Sequence, residues 1–206
     1  MSGEQAGPPA VVPEAGWTPI EPFRLEGGAG SFVTGRGRDG EQPEDGRLRV
    51  RYFLRADDSR LVGRAWFGPG AQGPPGHAHG GAIAAVLDEA MGAAAWVAGH
   101  IAVAARLDTS FLRMLPLGTD ATLEAWVERE EGRKVWTSGR LLDGAGEPFA
   151  AASGLFIELP PERFRPLLEQ WANASGADLE QLLSTAFRKY GVTARPSSRR
   201  PSKARD

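Results

Sequence analysis

The sequence predicts an α+β fold in which one antiparallel sheet wraps around a single long helix. Residues 80–98 form an almost wholly apolar run, and a helix that is apolar on nearly every side is expected to be buried. Six further runs alternate apolar with polar side chains, as half-buried strands do. One apolar helix and one sheet with a single apolar face bury each other, which makes a two-layer domain.

The N-terminal arm, residues 1–46, is rich in Gly, Pro and Glu, and we expect it to be mostly flexible. Four apolar side chains are exceptions that can anchor part of the arm on the domain: Trp17, Ile20, Phe23 and Leu25. The ordered domain is expected over residues 47–159.

Strands are predicted on both sides of the helix, because turn residues such as Asp, Gly and Ser separate the alternating runs. The six predicted strands are 48–54, 61–67, 101–113, 119–130, 133–142 and 148–157. Their connections are short, and consecutive strands with short connections form an antiparallel meander.

A second helical region is predicted after the domain. The predicted helical extension covers residues 160–192. Within it, apolar side chains over residues 179–190 recur at i, i+3, i+4, i+7, i+8 and i+11, and Gly191 is a stop signal. This extension is expected to pack on the domain or on a partner subunit. Residues 193–206 are basic, and a disordered, solvated tail is the expectation for them.

Composition narrows the classes of function. A chain of 206 residues with 41% apolar content is long enough for one domain with a core, and a net charge of −2 gives no signal for nucleic acid binding. The absence of cysteine excludes disulfides, thiolate metal sites and cysteine nucleophiles.

The N-terminus lacks the basic start and apolar core of a signal peptide, so a cytoplasmic protein is expected. The apolar helix is expected to be too short and too interrupted for stable membrane insertion.

The long helix carries the features that point to chemistry. Its only charged residues are Asp88 and Glu89, and a carboxylate in an apolar helix is costly unless something requires it. Gly80 and Gly81 begin the helix, where the first amides can serve an anion or a carbonyl oxygen. Gly80 and Asp88 are about 12 Å apart along the axis, too far to act on one carbonyl. A site that uses both therefore takes the amide from one subunit and the carboxylate from another.

These residues and their spacing resemble those of hotdog-fold acyl-CoA thioesterases, in particular the PaaI-type group that contains the thioesterase-superfamily-member-4 enzymes. The resemblance covers about residues 47–159. Its motifs are, in chain order, His79-Gly80-Gly81, Asp88, Leu107-Asp108-Thr109-Ser110-Phe111-Leu112-Arg113, Pro116-Leu117-Gly118 and Glu131-Gly132-Arg133-Lys134. It implies hydrolysis of acyl-CoA to a free acid and CoA by a homodimer or homotetramer, without a metal or other cofactor.

Residue roles follow from the resemblance. Asp88 is implied as the general base or the nucleophile, and the sequence leaves that choice open. Gly80 is implied as the oxyanion donor, with Gly81 supporting the same turn. His79 either orients the substrate carbonyl or caps the helix. The residues implied to bind CoA are Ser110, Arg113, Arg133, Lys134, Val135, Trp136, Thr137 and Ser138.

The chain departs from the family pattern at Ala104. In the related mammalian enzymes, a threonine that assists the catalytic acid falls at this position. Thr109 and Ser110 lie nearby on the same predicted strand, but they do not replace it when positions are counted without gaps. The departure leaves open how an attacking water is held.

Several alternatives stay open at the level of sequence. Asp88 can be a structural carboxylate paired with an arginine, with the neighbouring glutamate as the rival acid. His77 and His79 can belong to a metal site, although two imidazoles are too few for zinc. Arg133 and Lys134 can be an ordinary charged turn. The alternative functions are a hotdog dehydratase, a non-catalytic acyl-CoA-binding module, and an interaction protein that works through its arms.

Overall fold

The computed structural model describes residues 11–20, 33, 46–160, 163 and 166. The main elements, in chain order, are β1 (Trp17–Ile20), β2 (Leu48–Arg55), β3 (Leu61–Phe67), α1 (Gly80–Val97), β4 (Ala102–Phe111), β5 (Asp120–Glu131), β6 (Lys134–Leu142) and β7 (Pro148–Glu158). The α+β class and the sheet around one long helix are confirmed. The predicted bounds of the helix and strands differ from the observed ones by a residue or two.

The seven strands form one antiparallel sheet in the order β1-β2-β3-β5-β6-β7-β4. The predicted meander is wrong at one place, because β4 does not follow β3 in the sheet but lies at the far edge, paired with β7. Both ends of α1 contact β4, because a Cβ atom on Gly80 would lie 3.3 Å from the ring of Phe111 and Nε1 of Trp96 donates to the carbonyl of Ala102 at 3.2 Å. The connection from β3 through α1 therefore delivers the chain to the far edge of the sheet. The strands β5 to β7 then fill the space between β3 and β4.

The N-terminal arm contributes a strand that the periodicity did not predict. β1 pairs antiparallel with β2 and gives the sheet a seventh strand, where about six were expected. Ile20 is buried in the core, and the ring centroids of Trp17 and Phe53 are 5.5 Å apart. Phe23 and Leu25, the other two expected anchors, lie outside the described residues.

Two glycines let α1 lie close against the middle of the sheet. Gly139 of β6 is under the helix, since a Cβ atom there would lie 3.1 Å from Cγ of Met91 and 3.5 Å from Cδ2 of Leu87. A Cβ atom on Gly92 of the helix would lie 3.4 Å from the ring of Phe156 in β7. The helix is therefore held at one rotation over β6 and β7.

By length and composition alone, α1 is apolar enough to cross a membrane. The prediction that this helix is too short and too interrupted to cross a membrane is therefore not supported by its length and composition. The sheet explains the apolar character instead, because half of the helix is buried inside the domain. The same composition is typical of the core helix of a globular protein.

Two predicted regions lie outside the described residues. Of the expected helical extension over 160–192, the structure describes residues 160, 163 and 166, and the last two are helical. None of the basic segment 193–206 is described. Their packing and solvation stay predictions.

Candidate active site

The loop before α1 is held in place by the connection between β4 and β5. The N–H of Ala78 donates to the carbonyl of Leu115 at 2.8 Å, and the N–H of Leu117 donates to the carbonyl of Gly76 at 2.9 Å. These bonds tie the entry of the helix to the motif at residues 116–118. That motif therefore positions the first turn of α1.

His79 caps the N-terminus of α1. Its Nδ1 accepts a hydrogen bond of 2.9 Å from the N–H of Gly81, and its carbonyl accepts from the N–H groups of Ala82 and Ile83. Since Nδ1 is an acceptor, the neutral ring carries its hydrogen on Nε2. Within the described part of the chain, no group accepts from the N–H of Gly80. This end of the helix therefore keeps one free donor.

Gly80 lies against an aromatic ring at the end of β4. A Cβ atom on Gly80 would lie 3.3 Å from the ring of Phe111, so a larger residue would press on that ring. A shallow cavity of about 270 Å³ opens here, lined among others by His77, Gly80, Ile83, Phe111, Leu112 and Met114. Phe111 and Met114 are 55% and 58% exposed. The free donor of Gly80 therefore lies in the wall of a largely apolar cavity.

Asp88 is half-buried in the middle of α1, and one of its oxygens is unused. Its Oδ1 is buried and makes no hydrogen bond. Leaving such an acceptor unsatisfied costs about 1–3 kcal/mol, and the described residues provide no arginine partner for it. Burial raises the pKa of the Asp88 carboxyl above its ordinary value. Asp88 is therefore a stronger base than an exposed aspartate.

The neighbouring Glu89 is held by the sheet. The phenol of Tyr52 in β2 donates a hydrogen bond of 3.0 Å to Oε1 of Glu89. Burial, and next the adjacent Glu89 charge, raise the pKa of Tyr52 well above its ordinary value. Of the two acids on α1, Glu89 thus has a structural partner. Asp88 is the candidate for catalysis.

The two arginines expected to bind CoA lie at opposite ends of the sheet. Arg113 donates from Nη2 to Asp143 at 2.8 Å and from Nε to the carbonyl of Pro148 at 3.1 Å. Arg133 donates from Nη2 to the carbonyl of Glu158 at 2.8 Å. The nine residues of β6 separate these ends by about 30 Å. One subunit therefore does not bring Arg113 and Arg133 together.

The predicted CoA-binding run along β6 divides between the two faces of the sheet, because side chains alternate along a strand. Val135 and Thr137 face α1 and are each 1% exposed. The other members of the predicted set on β4 and β6 are at least partly accessible: Ser110, Lys134, Trp136 and Ser138. Together with the exposed Arg113 and Arg133, these four are the predicted CoA-binding residues that a ligand can reach within one subunit.

The two histidines before α1 have separate roles. Nδ1 of His77 lies 2.9 Å from the carbonyl of Pro75, whereas His79 caps the helix. Over the described ranges, no group of three or more His, Cys, Asp or Glu side chains is arranged to hold a metal ion. The metal alternative has no support in this part of the chain.

Sequence reasoning assigned no role at the site to Tyr52, and it quoted Phe111 only as part of the motif at residues 107–113. Alternation along the strands predicts that each faces the helix. It does not predict which helical residue each one meets, and no other signal in a single sequence does so.

Comparison with known proteins shows which family this part of the chain resembles. Residues 75–148 match the model of the thioesterase superfamily. These residues are similar to that superfamily, and the stretch is named the thioesterase domain for this similarity. The thioesterase domain includes α1 with both Gly80 and Asp88, so the matched region contains the candidate site. The hotdog resemblance stated from the sequence is confirmed.

The relatives of the thioesterase domain are named as acyl-CoA thioesterases. The chain is 35% identical over 123 residues to acyl-coenzyme A thioesterase THEM4 of Bos taurus, covering 58% of this chain and 50% of that protein. It is 34% identical over 96 residues to acyl-coenzyme A thioesterase THEM5 of Mus musculus, covering 46% of this chain and 39% of that protein. The crystal structure of a thioesterase superfamily protein matches with a TM-score of 0.50 at 32% identity, covering 53% of this chain and 54% of that chain. The chain spans about half the length of the curated relatives it matches.

Proposed function

We propose that the thioesterase domain hydrolyses acyl-CoA thioesters to a free acid and CoA. Relatives that are 30% to 35% identical over this region and are named acyl-coenzyme A thioesterases support the substrate class. The observation that carries the proposal is the buried, unpaired Oδ1 of Asp88 on the central helix. A buried carboxylate oxygen without a hydrogen bond costs free energy of folding, and such a carboxylate with a raised pKa is typical of a functional site.

The free N–H of Gly80 supplies the second element of the reaction. The oxygen of a thioester carbonyl gains negative charge when its carbon is attacked. A donor at a helix N-terminus stabilises that charge through its hydrogen bond and through the helix dipole. His79 supports this role, because its bond to Gly81 holds the first turn in place.

The two elements act together when two copies of the chain associate. Gly80 and Asp88 are about 12 Å apart on one helix, whereas each must come within about 3 Å of the reacting atoms. β4 lies at the edge of the sheet, with Val103 48% exposed and Phe111 55% exposed. An edge strand with apolar side chains is prone to pair with another strand. We therefore propose a homodimer paired through β4, with two equivalent sites, and a homotetramer of two such dimers fits the same arrangement.

The chemistry assigned to Asp88 is that of a general base. Its carboxylate takes a proton from a water molecule, and the oxygen of that water attacks the carbonyl carbon. The C–S bond then breaks, and the CoA sulfur leaves with the proton that Asp88 returns. We propose this route over direct attack by the carboxylate, because a raised pKa increases the proton affinity on which a base depends.

The proposed dimer also accounts for the separation of the CoA-binding candidates. Antiparallel pairing of two β4 strands brings the end that carries Ser110 and Arg113 beside the opposite end of the partner subunit, where Arg133 and Lys134 lie. Cations and hydroxyl groups at the mouth of a pocket suit the phosphates of CoA.

The proposed reaction needs no metal or other cofactor, because the chain supplies both the base and the oxyanion donor. A cytoplasmic location without nucleic acid partners or stable membrane insertion completes the proposal.

The test is release of CoA from a panel of acyl-CoA thioesters, from acetyl to stearoyl and including phenylacetyl and benzoyl, by the wild type and by Asp88→Asn. Turnover by the wild type and its loss in the variant are expected. If neither protein releases CoA, yet acyl-CoA raises the melting temperature of both, the chain is a binding module and the proposal is wrong.

A further inference from the structure

The open edge of β4 carries a buried hydroxyl without a partner. β4 is the last strand of the sheet and pairs with β7 on one side only. Among the described residues, the hydroxyl oxygen of Thr109 on this strand is buried and makes no hydrogen bond. An unpaired buried hydroxyl costs free energy, so it needs an explanation. Since the proposed dimer pairs this edge with a second copy of the chain, a group on that copy is the candidate partner.

The two ends of α1 fix its direction along β4. A Cβ atom on Gly80 would lie 3.3 Å from the ring of Phe111, at one end of the strand. Nε1 of Trp96 donates to the carbonyl of Ala102, at the other end, at 3.2 Å. The helix therefore runs antiparallel to β4, and each residue of α1 has a level on that strand.

These levels determine how two copies must pair to build one site. Asp88 is in the middle of α1, so it lies about level with Leu107, in the middle of β4. Gly80 lies level with Phe111, four strand residues or about 13 Å away. The amide of Gly80 and the partner's Asp88 act on one thioester only when Phe111 lies opposite the partner's Leu107. Because a two-fold axis relates the copies, that axis then passes midway between these positions, at Thr109.

We infer that two copies of the chain pair antiparallel through β4 with the two-fold axis at Thr109. This inference rests on the proposed thioesterase function, which requires the amide and the carboxylate to meet. It also explains the buried hydroxyl. Residues directly opposite each other on antiparallel strands have Cβ atoms about 4.5–5.5 Å apart, and two threonines at such positions share a hydrogen bond. The hydroxyl of one Thr109 donates to that of the partner's Thr109, so neither oxygen is left without a partner.

The side chains on both faces of β4 suit this register. On the face that α1 covers, Phe111 is 55% exposed in one subunit, and the partner's Leu107 lies opposite it as an apolar neighbour. On the outer face, Asp108 lies opposite the partner's Ser110, whose hydroxyl can donate to the carboxylate. Apolar groups therefore meet apolar groups, and the acid meets a donor.

Two neighbouring registers fit less well. An axis at Asp108 would place two carboxylates directly opposite each other, which is destabilising. An axis at Leu107 would place Arg106 opposite the partner's Asp108, which suits their charges. It would, however, leave Gly80 and the partner's Asp88 about 13 Å apart along the strands. The distance between the two reacting groups therefore decides between the registers.

The test is cysteine cross-linking, which gives a clear result because the chain contains no cysteine of its own. Single variants place one cysteine in turn along residues 107–111: Leu107→Cys, Asp108→Cys, Thr109→Cys, Ser110→Cys and Phe111→Cys. A disulfide needs Cα atoms about 4.4–6.8 Å apart, and only a residue on the axis meets its own copy at such a distance. We expect Thr109→Cys alone to form a covalent dimer under mild oxidation, seen as a doubled mass on a non-reducing gel. The other four variants are its matched controls.

A mixing experiment covers the case in which Thr109→Cys does not fold. Asp108 and Ser110 are both exposed, so cysteine is tolerated at either position. Asp108→Cys and Ser110→Cys should each form no covalent dimer alone. They should form one with each other when the two variants are mixed and allowed to exchange subunits.

Two results would overturn the inference. A covalent dimer of Leu107→Cys, Asp108→Cys, Ser110→Cys or Phe111→Cys alone would place the axis elsewhere, and no cross-link in any variant or mixture would show that β4 is not the interface. CoA release by the wild type and by Asp88→Asn tests the proposed function separately. An active wild type with the cross-link at another residue overturns the register alone, whereas an inactive wild type with the cross-link at Thr109 overturns the thioesterase function and leaves the pairing.

Discussion

Tyr52 donates a hydrogen bond of 3.0 Å from its phenol to Oε1 of Glu89. Asp88, one residue earlier on α1, keeps a buried Oδ1 without any hydrogen bond. Two adjacent carboxylates on one helix therefore differ in their hydrogen bonds. Glu89 is bonded to Tyr52 of β2, whereas Oδ1 of Asp88 has no partner, as the proposed catalytic role requires.

Replacement of the two acids should have different effects. Asp88→Asn removes the base and is expected to lower kcat by about 10²- to 10⁴-fold. Glu89→Gln keeps an acceptor for the phenol of Tyr52 and should change kcat by less than about threefold. The measurement is CoA release under saturating acyl-CoA. Equal losses in the two variants, with unchanged melting temperatures, would contradict the assignment of Asp88.

The rate should depend on pH through Asp88. Burial raises the pKa of this carboxyl, and a base works only when it is deprotonated. The kcat/KM profile should therefore fall on the acid side at a pH above the ordinary titration range of aspartate. A profile that stays flat down to that ordinary range would show that Asp88 does not act as a base.

Stability should respond to pH through the same residue. Because the folded protein holds the Asp88 proton more tightly than the unfolded chain, this group stabilises the fold at low pH and loses that contribution as pH rises through the folded pKa. Asp88→Asn should therefore be more stable than the wild type at neutral pH. Thermal unfolding across pH should show this difference shrink as the pH is lowered, and a difference that grows instead would contradict the raised pKa.

Glu124 should contribute stability with the opposite pH dependence. It is buried on the outer face of the sheet, where Arg55 lies 2.8 Å from Oε1 and Arg140 lies 2.6 Å from Oε2. Burial acts to raise the pKa of Glu124, but hydrogen bonds from Arg140 and Arg55 outweigh it and the pKa is lowered. Glu124→Gln should cost about 1–3 kcal/mol at neutral pH, as measured by urea unfolding.

The control for this prediction is Glu131→Gln, because Glu131 is 74% exposed and its pair with Arg129 is long, at 3.6 Å. It should change stability by less than about 0.5 kcal/mol. The loss in Glu124→Gln should fade as the pH falls through the lowered pKa of Glu124, where the wild type also loses the charge. A loss that is the same at all pH values would indicate packing instead of the ion pairs.

The role of the Gly80 amide can be tested by removing its hydrogen. Gly80 is the first helical residue and His79 before it is extended, at φ −68° and ψ 135°, so proline is tolerated at this position. Gly80→Pro should lower kcat by about 10²- to 10³-fold through loss of the oxyanion donor. Gly80→Ala presses on Phe111 in a similar way but keeps the N–H, and its loss should be about tenfold at most. Equal losses would show that the contact with Phe111 matters and the donor does not.

Mixed dimers test whether the site spans two subunits. Gly80→Pro and Asp88→Asn are each expected to be inactive alone. In a random mixture, half of the dimers contain one copy of each variant, and one of their two sites then has an intact Gly80 and an intact Asp88 from different chains. Activity should therefore recover to about a quarter of the wild-type value. No recovery, with mixed dimers verified by mass, would place both groups of a site in one chain.

Local patterns carried most of the fold prediction. Apolar periodicity is a property of neighbouring residues, so the bounds of α1 and of six strands were predicted to within a residue or two. The place of β4 beside β7 was not predicted, because strand order depends on contacts between distant segments and not on local periodicity. The strand Trp17–Ile20 also has little pattern of its own, and it forms because the edge of β2 offers it a partner.

The sequence by itself determined the two central features of the site. Asp88 and Gly80 are anomalies in a local pattern, a carboxylate inside an apolar helix and a glycine at its first position, and such anomalies are visible without a structure. Only the tertiary structure decided that Glu89 is bonded to Tyr52, 37 positions away, and that Gly80 lies against Phe111 of β4. These relationships depend on strand register and on the rotation of the helix over the sheet, which are set by packing between distant segments and leave no mark in local periodicity.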